Sequence, residues 1–334
     1  MNKFLKLTET QRRTVFEQTA ARINLPVAAI EKDFWVTEIL DILFSLPYAD
    51  KMVFKGGTSL SKIWGVIRRF SEDIDIAIDR SLFGIAGDIT KKQLKKLRKE
   101  SSVFVRDTLA GDLIKAAEKT GLNEFITIKA DPDGEGDATY PEPRQIHIIY
   151  KSVLSETTNP YLRDEVLLEV GARSLFEPTA EAGVDSFVAT VFPHLTSKDN
   201  GGRIVAAVAE KTFLEKVFLL HELFTTAGCR NANRKSRHLY DLCKMFDAGI
   251  AEKAISNYEL WESIRHHREV FTSVRDVDYS SGLRERITLL PPENVIKEWK
   301  NDYDSMAVNM IYDDNVPAFT DILARVAKIE SMFK

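Results

Sequence analysis

The sequence predicts a mixed α/β (α+β) protein in which a sheet core is preceded by helices and followed by a helical lobe. Three observations carry this. Apolar residues recur at helical spacing from Thr8 to Phe44, short alternating or apolar runs bounded by Gly, Pro and Asp fill the middle of the chain, and helical periodicity returns after Arg203. With 334 residues, 44% of them hydrophobic and 29% charged, the chain is long and apolar enough for two globular units. The expected division is N-terminal helices packing on the core over residues 1–50, the core over 51–195 and the C-terminal helical lobe over 196–334.

Taken in order, Phe16, Ala20 and Ile23 and then Phe34, Ile39 and Leu43 fall on helical faces, with Asn24-Leu25-Pro26 breaking the run. Lys51 to Phe54 reads as a short strand and Gly56-Gly57 as a turn. Thr58 or Ser59 can cap a helix running toward Arg69. Ile74 to Ile78 is the next strand. Thr90 to Gly121 reads as one long helix, whose first turns hold Lys91, Lys92, Lys95, Lys96, Arg98 and Lys99 around only Leu94 and Leu97. A solvated face explains those charges more simply than RNA binding does. Phe125 to Lys129 and Gln145 to Tyr150 alternate like strands and are expected to pair antiparallel across the polar stretch from Asp131 to Arg144. Val166 to Val170 gives another strand, Phe187 to Phe192 a short extended segment, and Thr196 to Arg203 a loop. Ala209 to Phe224, Lys235 to Phe246, Tyr258 to Phe271 and the tail from Ala318 have helical periodicity.

Several function classes are excluded on composition. The formal net charge of −4 gives no global positive field, so any nucleic-acid contact must use local patches. Cys229 and Cys243 lack metal-knuckle or redox spacing and are expected to be reduced thiols. His221-Glu222 has no second histidine at the HExxH position, which removes a zinc hydrolase, and Lys62 lies between Ser61 and Ile63, which breaks the P-loop pattern. The first residues carry charges where a secretory signal needs an apolar run, and no long apolar run follows, so a cytoplasmic setting without membrane contact is expected.

One constellation carries chemistry: a strand, the turn Gly56-Gly57-Thr58-Ser59, a helix holding Lys62, and then Asp73-Ile74-Asp75 entering a strand. Strand residues two apart share a face, so the two carboxylates, roughly 7 Å apart at the backbone, can converge on a hard cation such as Mg²⁺ (or Mn²⁺). Glycines before a helix let backbone approach a triphosphate, to which Ser59 and Lys62 could add a hydroxyl and a positive charge. The plainer reading of Asp73 and Asp75 is a pair of exposed carboxylates protecting an edge strand. Lys216 shares a helical face with Phe213, Val217 and Leu220, which suits either an amine aimed into a cleft or a snorkelling lysine. Asp241, beside Leu242 and Met245, needs a partner, either Lys216 or a cation; an ion pair between helices is the structural alternative. Arg230, Arg234, Lys235 and Arg237 form a basic cluster. Glu169 interrupts an apolar strand and is open to an exposed or a functional reading.

These residues resemble the nucleotidyltransferase superfamily, whose signature is a Gly-Gly or Gly-Ser turn followed by a strand bearing Asp-x-Asp. More narrowly, the chain is similar to the AbiEii/AbiGii (MenT-type) toxin family through Glu31-Lys32-Asp33-Phe34-Trp35-Val36, Phe54-Lys55-Gly56-Gly57-Thr58-Ser59-Leu60-Ser61-Lys62, Arg69-Phe70-Ser71-Glu72-Asp73-Ile74-Asp75, Thr212-Phe213-Leu214-Glu215-Lys216 and Arg237-His238-Leu239-Tyr240-Asp241-Leu242. The resemblance implies a nucleotidyltransferase-like core with the active site in the cleft between core and lobe. It implies metal ligation by Asp73, Asp75 and, as third acid, Glu169; NTP binding by Gly56, Gly57, Ser59, Lys62 and Arg237; and catalytic roles for Lys216 and Asp241. The implied reaction moves a nucleotide from an NTP to an RNA hydroxyl, at the 3′ end of tRNA, with release of pyrophosphate. Such an enzyme would act as the toxin of a type IV toxin–antitoxin or abortive-infection system in phage defence, with a cognate antitoxin encoded nearby. A protein hydroxyl or a small molecule is the alternative acceptor. A non-catalytic nucleotide-binding regulator is a third reading, against which the intact Asp73 and Asp75 pair argues. The stretch before Lys216 departs from the family pattern by lacking its proline and tryptophan, and the chain beyond Phe246 carries no readable motif.

Overall fold

Thr8 opens the first long helix, α1 (Glu9–Ile23), with a capping box: its hydroxyl accepts from the Gln11 N–H at 3.3 Å and the Gln11 carboxamide accepts from the Thr8 N–H at 3.0 Å. Asn24, left-handed at φ 55°, ends it. Pro26 then leads into α2 (Val27–Leu43), which is buried on nearly every side. Phe4, Phe16 and Phe34 cluster with ring centroids 4.6–5.9 Å apart, and Trp35 stacks on Tyr150 at 5.6 Å. The same helix carries the buried charges Glu31, Lys32 and Asp33 into this core. Glu31 accepts from the Ser152 hydroxyl at 2.6 Å and the Val153 N–H at 2.9 Å, and burial nevertheless pushes its carboxyl above the ordinary range. Asp33 accepts from the Phe187 N–H at 2.7 Å and pairs with the Lys62 ammonium.

The structure, a computed structural model, describes residues 3–71, 73–136, 139–154, 164–195 and 203–334. After α2 come β1 (Met52–Lys55), α3 (Gly56–Lys62), β2 (Asp73–Ile78), α4 (Lys91–Val103), α5 (Ala110–Thr120), β3 (Ile126–Ala130), β4 (Arg144–Tyr150), β5 (Glu165–Gly171), β6 (Thr179–Gly183), α6 (Phe187–Val191) and β7 (Arg203–Ala207). The strands form one mixed sheet in the order β3-β4-β5-β2-β1-β7-β6. β2 runs parallel to β5 and β1 parallel to β7, whereas β3, β4 and β5 pair antiparallel in sequence, as do β1 and β2. Ile74, Ile76, Ile146, Ile148, Leu168 and Val170 are buried on one face, and the alternating residues make the more polar other face.

The helices α7 (Ala209–Phe224), α8 (Arg237–Asp247), α9 (Ile250–Ser256), α10 (Tyr258–Phe271), α11 (Ile296–Asn309) and α12 (Phe319–Ser331) follow. The chain divides into two compact units, Met1–Ile63 with Ser71–Ala206, and Trp64–Phe70 with Ala207–Lys334. The helical second unit therefore takes a strip from within the first unit's stretch of sequence. Trp64 donates its indole N–H to the Ala207 carbonyl, Phe70 donates to Met310 and Tyr312 donates to Arg68, so the strip is stitched to the connection between α11 and α12. Around it, Phe218 stacks on Trp261 at 4.6 Å, and Glu222 accepts from Arg268 and from the Tyr279 hydroxyl. Among the described residues no helix is long and apolar enough to cross a membrane.

Four local expectations need correction. Phe187–Val191 is helical because Ser186 caps it, accepting from the Ala189 N–H at 3.1 Å, and these bonds outweigh the β-propensity of Phe and Val. The helix after Gly56-Gly57 stops at Lys62 and does not continue toward Arg69. The long helix from Thr90 is interrupted by π turns over Phe104–Leu109. Arg203 begins β7 rather than ending a loop, while 196–202 lie outside the described residues, as does Glu72.

Removing the Asp33 carboxylate would leave the Lys62 ammonium, 8% exposed, and the Phe187 N–H without their partner. Asp33→Ala is expected to lower stability by about 3–5 kcal/mol. A urea midpoint equal to that of the unmodified protein would contradict this.

Candidate active site

β1 ends at Lys55 and α3 begins at Gly56, whose φ of +79° is left-handed. A Cβ at Gly56 would lie 2.0 Å from Oδ2 of Asp75, so conformation and contact both require glycine there. Thr58 donates its hydroxyl to the Asp73 carbonyl, tying the first turn of α3 to β2. Asp73 and Asp75 are half-buried on one face of the sheet. β2 lies between β5 and β1, not at an edge, so guarding an edge strand does not explain them.

Glu169 pairs with Asp75 in the parallel register of β5 and β2, which sets the two side chains on the same face of adjacent strands. Gln145, opposite Glu169 on β4, donates its Nε2–H to Oε1 at 2.7 Å. A polar row of Lys55, Asp75, Glu169 and Gln145 therefore crosses four strands. Among the described residues no group of three or more His, Cys, Asp or Glu is arranged to hold a metal ion. Mg²⁺ does not require one, because it commonly takes one or two carboxylates and completes its shell with substrate phosphates and water. Asp73 and Asp75, two apart on one strand face and with Gly56 leaving room at the Asp75 oxygen, are a donor set that fits Mg²⁺ or Mn²⁺.

The other predicted NTP-binding residues of this unit are placed differently. Gly57 is buried in the first turn of α3. Ser59 is fully buried, and its hydroxyl has no hydrogen-bond partner among the described residues. Lys62 turns to Asp33, with Phe187 5.7 Å away beneath its ammonium. Its charge is already matched by a carboxylate.

In the second unit, Asp241 is fully buried on α8 and receives the Arg69 guanidinium as a fork, Nε to Oδ1 at 2.6 Å and Nη2 to Oδ2 at 2.7 Å. Lys216 on α7 brings its Nζ to the same Oδ2 at 2.8 Å and lies 3.4 Å from Nδ1 of His238. At 7% exposure Lys216 does not snorkel. Burial alone would raise the Asp241 pKa, but the two cations override it and hold the carboxyl well below its ordinary range. Burial, together with Arg69 sharing the same carboxylate, pushes Lys216 down, and burial and the neighbouring cations push His238 down. Among the described residues Arg69 and Lys216 share the one carboxylate of Asp241, and half-buried Arg237 adds to the positive field at Lys216. Arg230 and Arg234 are exposed, and the Arg234 and Ser236 N–H groups hold Asp302 at 2.6 and 2.9 Å. Arg69 is the site residue to which sequence reasoning assigned no role. Its signal was a position inside a matching stretch, with nothing to say that its partner lay on α8.

A family model described as nucleotidyl transferase AbiEii toxin, type IV TA system, matches residues 39–325. Among solved structures, the MenT4 nucleotidyltransferase toxin from Mycobacterium tuberculosis aligns with a TM-score of 0.54 at 17% identity, covering 98% of this chain and 89% of that one. At that identity the likeness is one of fold. No curated protein matches the chain. The family match runs beyond Phe246 to take in α9, α10, α11 and part of α12.

The Asp241 shift has a definite sign. A carboxylate whose folded pKa is depressed contributes stability above its unfolded value and loses that contribution as pH falls through the folded one. The native protein should therefore weaken below about pH 4. Asp241→Asn should flatten that acid limb and, by setting two buried cations against a neutral amide, cost about 3–5 kcal/mol at pH 7. Urea titrations at pH 3, 4.5 and 7 measure both effects, and equal midpoints for the two proteins at pH 7 would refute the second.

Proposed function

Because the chain belongs to the AbiEii nucleotidyltransferase toxin family of type IV toxin–antitoxin systems, we propose that it transfers a nucleotide from an NTP to the 3′ hydroxyl of tRNA, with Mg²⁺ or Mn²⁺. In this reading the protein acts in the cytoplasm, arrests translation, is countered by a cognate antitoxin and serves phage defence by abortive infection. The observation that carries it is the carboxylate row in the middle of the sheet: Asp73 and Asp75 side by side, Glu169 beside Asp75, and Gly56 against the Asp75 oxygen.

Asp73 and Asp75 would hold the ion, with Glu169 as the neighbouring acid. Once bound, the ion supplies the charge that lets a triphosphate approach two carboxylates and that steadies the departing pyrophosphate. One carboxylate accepts a hydrogen bond from the attacking hydroxyl and orients it. The hydroxyl oxygen bonds to the α-phosphorus, the bond to pyrophosphate breaks, and the hydroxyl proton passes to the carboxylate or to water. Gly56 and Gly57 give the phosphates access to backbone. Lys216 binds a phosphate oxygen, and Arg237 adds to the attraction; Asp241 orients Lys216 and Arg69. Lys62 keeps its role of fastening α3 to α2, and the unpartnered hydroxyl of buried Ser59 reaches phosphate only if that turn opens.

Incubation with each labelled NTP, Mg²⁺ and total tRNA should label tRNA in one or more reactions, and sequencing of 3′ ends should locate the addition. Asp75→Ala should reduce labelling by about a thousandfold or more, the scale set by removing a preorganised charge at the reacting group. Labelling of protein or a small molecule instead of RNA would move the acceptor, and NTP binding without any transfer would favour the regulator.

Lys216→Met distinguishes a phosphate-binding lysine from a structural one. It leaves Asp241 and Arg69 as a matched pair, so unfolding temperature should hold or rise, because replacing a buried ion by an apolar side chain is often neutral or stabilising. NTP affinity should fall about tenfold or more with loss of a charge-assisted contact. A lower unfolding temperature with unchanged NTP affinity would make Lys216 purely structural.

A further inference from the structure

The lysine-rich start of α4 adjoins a feature that periodicity does not reveal. Lys92, Lys95, Lys96 and Lys99 recur at i, i+3, i+4 and i+7 and so share one stripe. With Lys91 they make five exposed lysines within nine residues, a local reversal in a chain of net charge −4. Lys96 approaches Glu100 at 3.7 Å, and Lys99 lies 5.5 Å from the Tyr140 ring. The stripe ends in an open pocket of about 500 Å³ lined by Leu82, Phe83, Lys99, Glu100, Val103 and Phe104. Phe83 and Phe104 meet edge to face at 5.7 Å, and Tyr48 backs Phe104 at 5.2 Å. The π turns begin at Phe104, a distortion that concentrates at functional positions in helices.

We propose that stripe and pocket form a docking site for single-stranded RNA, with the lysines following backbone phosphates and one unpaired nucleobase entering beside Phe83 and Phe104. The proposal rests on the reading of RNA as acceptor and adds where such an RNA is gripped. Recognition of unpaired RNA combines a basic track with aromatic side chains on which splayed bases stack, and both occur here on one helix and the loop beside it. A pocket of this volume is in the range that holds small ligands. Glu100 decides between polyanions. Its carboxylate repels a phosphate or an acidic side chain inside the pocket but accepts a hydrogen bond from the exocyclic amine of adenine, cytosine or guanine. An acidic polypeptide would satisfy the lysines and meet like charge at the pocket, whereas RNA satisfies both.

The test measures binding of the full chain to short unstructured oligo(A), oligo(U) and tRNA over a range of salt, with circular dichroism melting as a check on folding. Oligo(A) should bind more tightly than oligo(U). Changing Lys92, Lys95, Lys96 and Lys99 together to Gln should weaken RNA binding about tenfold or more and flatten the salt dependence by roughly 3 in log–log slope, at about 0.7 per phosphate of a single strand. Phe83→Leu, which keeps an apolar side chain at the pocket, should weaken oligo(A) about fivefold or more and leave the slope unchanged. Unaltered RNA affinity and slope in the four-lysine variant, or a loss confined to poly-glutamate binding, would overturn the proposal. Transfer is scored separately. If the native protein labels tRNA and the four-lysine variant binds and labels it equally, the docking site fails and the proposed function stands. If the native protein labels no RNA while both variants lose oligo(A) affinity as described, the docking site stands and the acceptor reading fails.

Discussion

A carboxylate in the middle of a buried helix is tolerated only when its partners are close, and Asp33 organises the first unit through that requirement. Its two oxygens hold the Lys62 ammonium at the end of α3 and the Phe187 N–H at the start of α6, so α2 fixes two short helices that have little stability of their own. The other end of α3 is fixed by the contact of Gly56 with Asp75 and by the Thr58 bond to Asp73. Glycine turn, helix and strand thus form a rigid unit whose geometry is set from both ends, which is the condition for holding two carboxylates in constant relation to approaching phosphates.

Much of this was legible in the sequence because the relevant chemistry is local. Asp73 and Asp75 sit two apart on a strand, Gly56 precedes a helix, and strand alternation put Glu169 opposite Leu168 and Val170. What alternation could not supply was register: that Glu169 lies beside Asp75 depends on β5 pairing parallel to β2, a contact between segments far apart in the sequence. The same limit separated Lys62 from Asp33 and Arg69 from Asp241, since an ion pair leaves no periodic trace. Phe187–Val191 read as extended because its composition favours strands; the Ser186 cap that makes it helical is local, and the tertiary bond that anchors its first N–H comes from α2. The helices beyond Phe246 were illegible for function because their work is packing: α11 supplies Asp302 to the turn before α8 and Trp299 to the core around Phe224.

Charge is arranged in opposite senses in the two units. The first sets half-buried carboxylates on one sheet face, where like charges stand close together. In the second, the Arg69 and Lys216 cations share the carboxylate of Asp241.

The strip Trp64–Phe70 gives the order of synthesis a physical meaning. Arg68 and Phe70 hydrogen-bond to Met310 and Tyr312, which leave the ribosome long after them; at ~5–20 residues per second the strip waits on the order of ten seconds or more for its partners. The buried Arg69 guanidinium has no Asp241 to meet until α8 has been made, and Arg68 and Phe70 lack their backbone partners until the turn after α11 emerges. The strip's last bonds in this unit therefore close late, and a protein of a toxin family stays unfinished for most of the time it is being made.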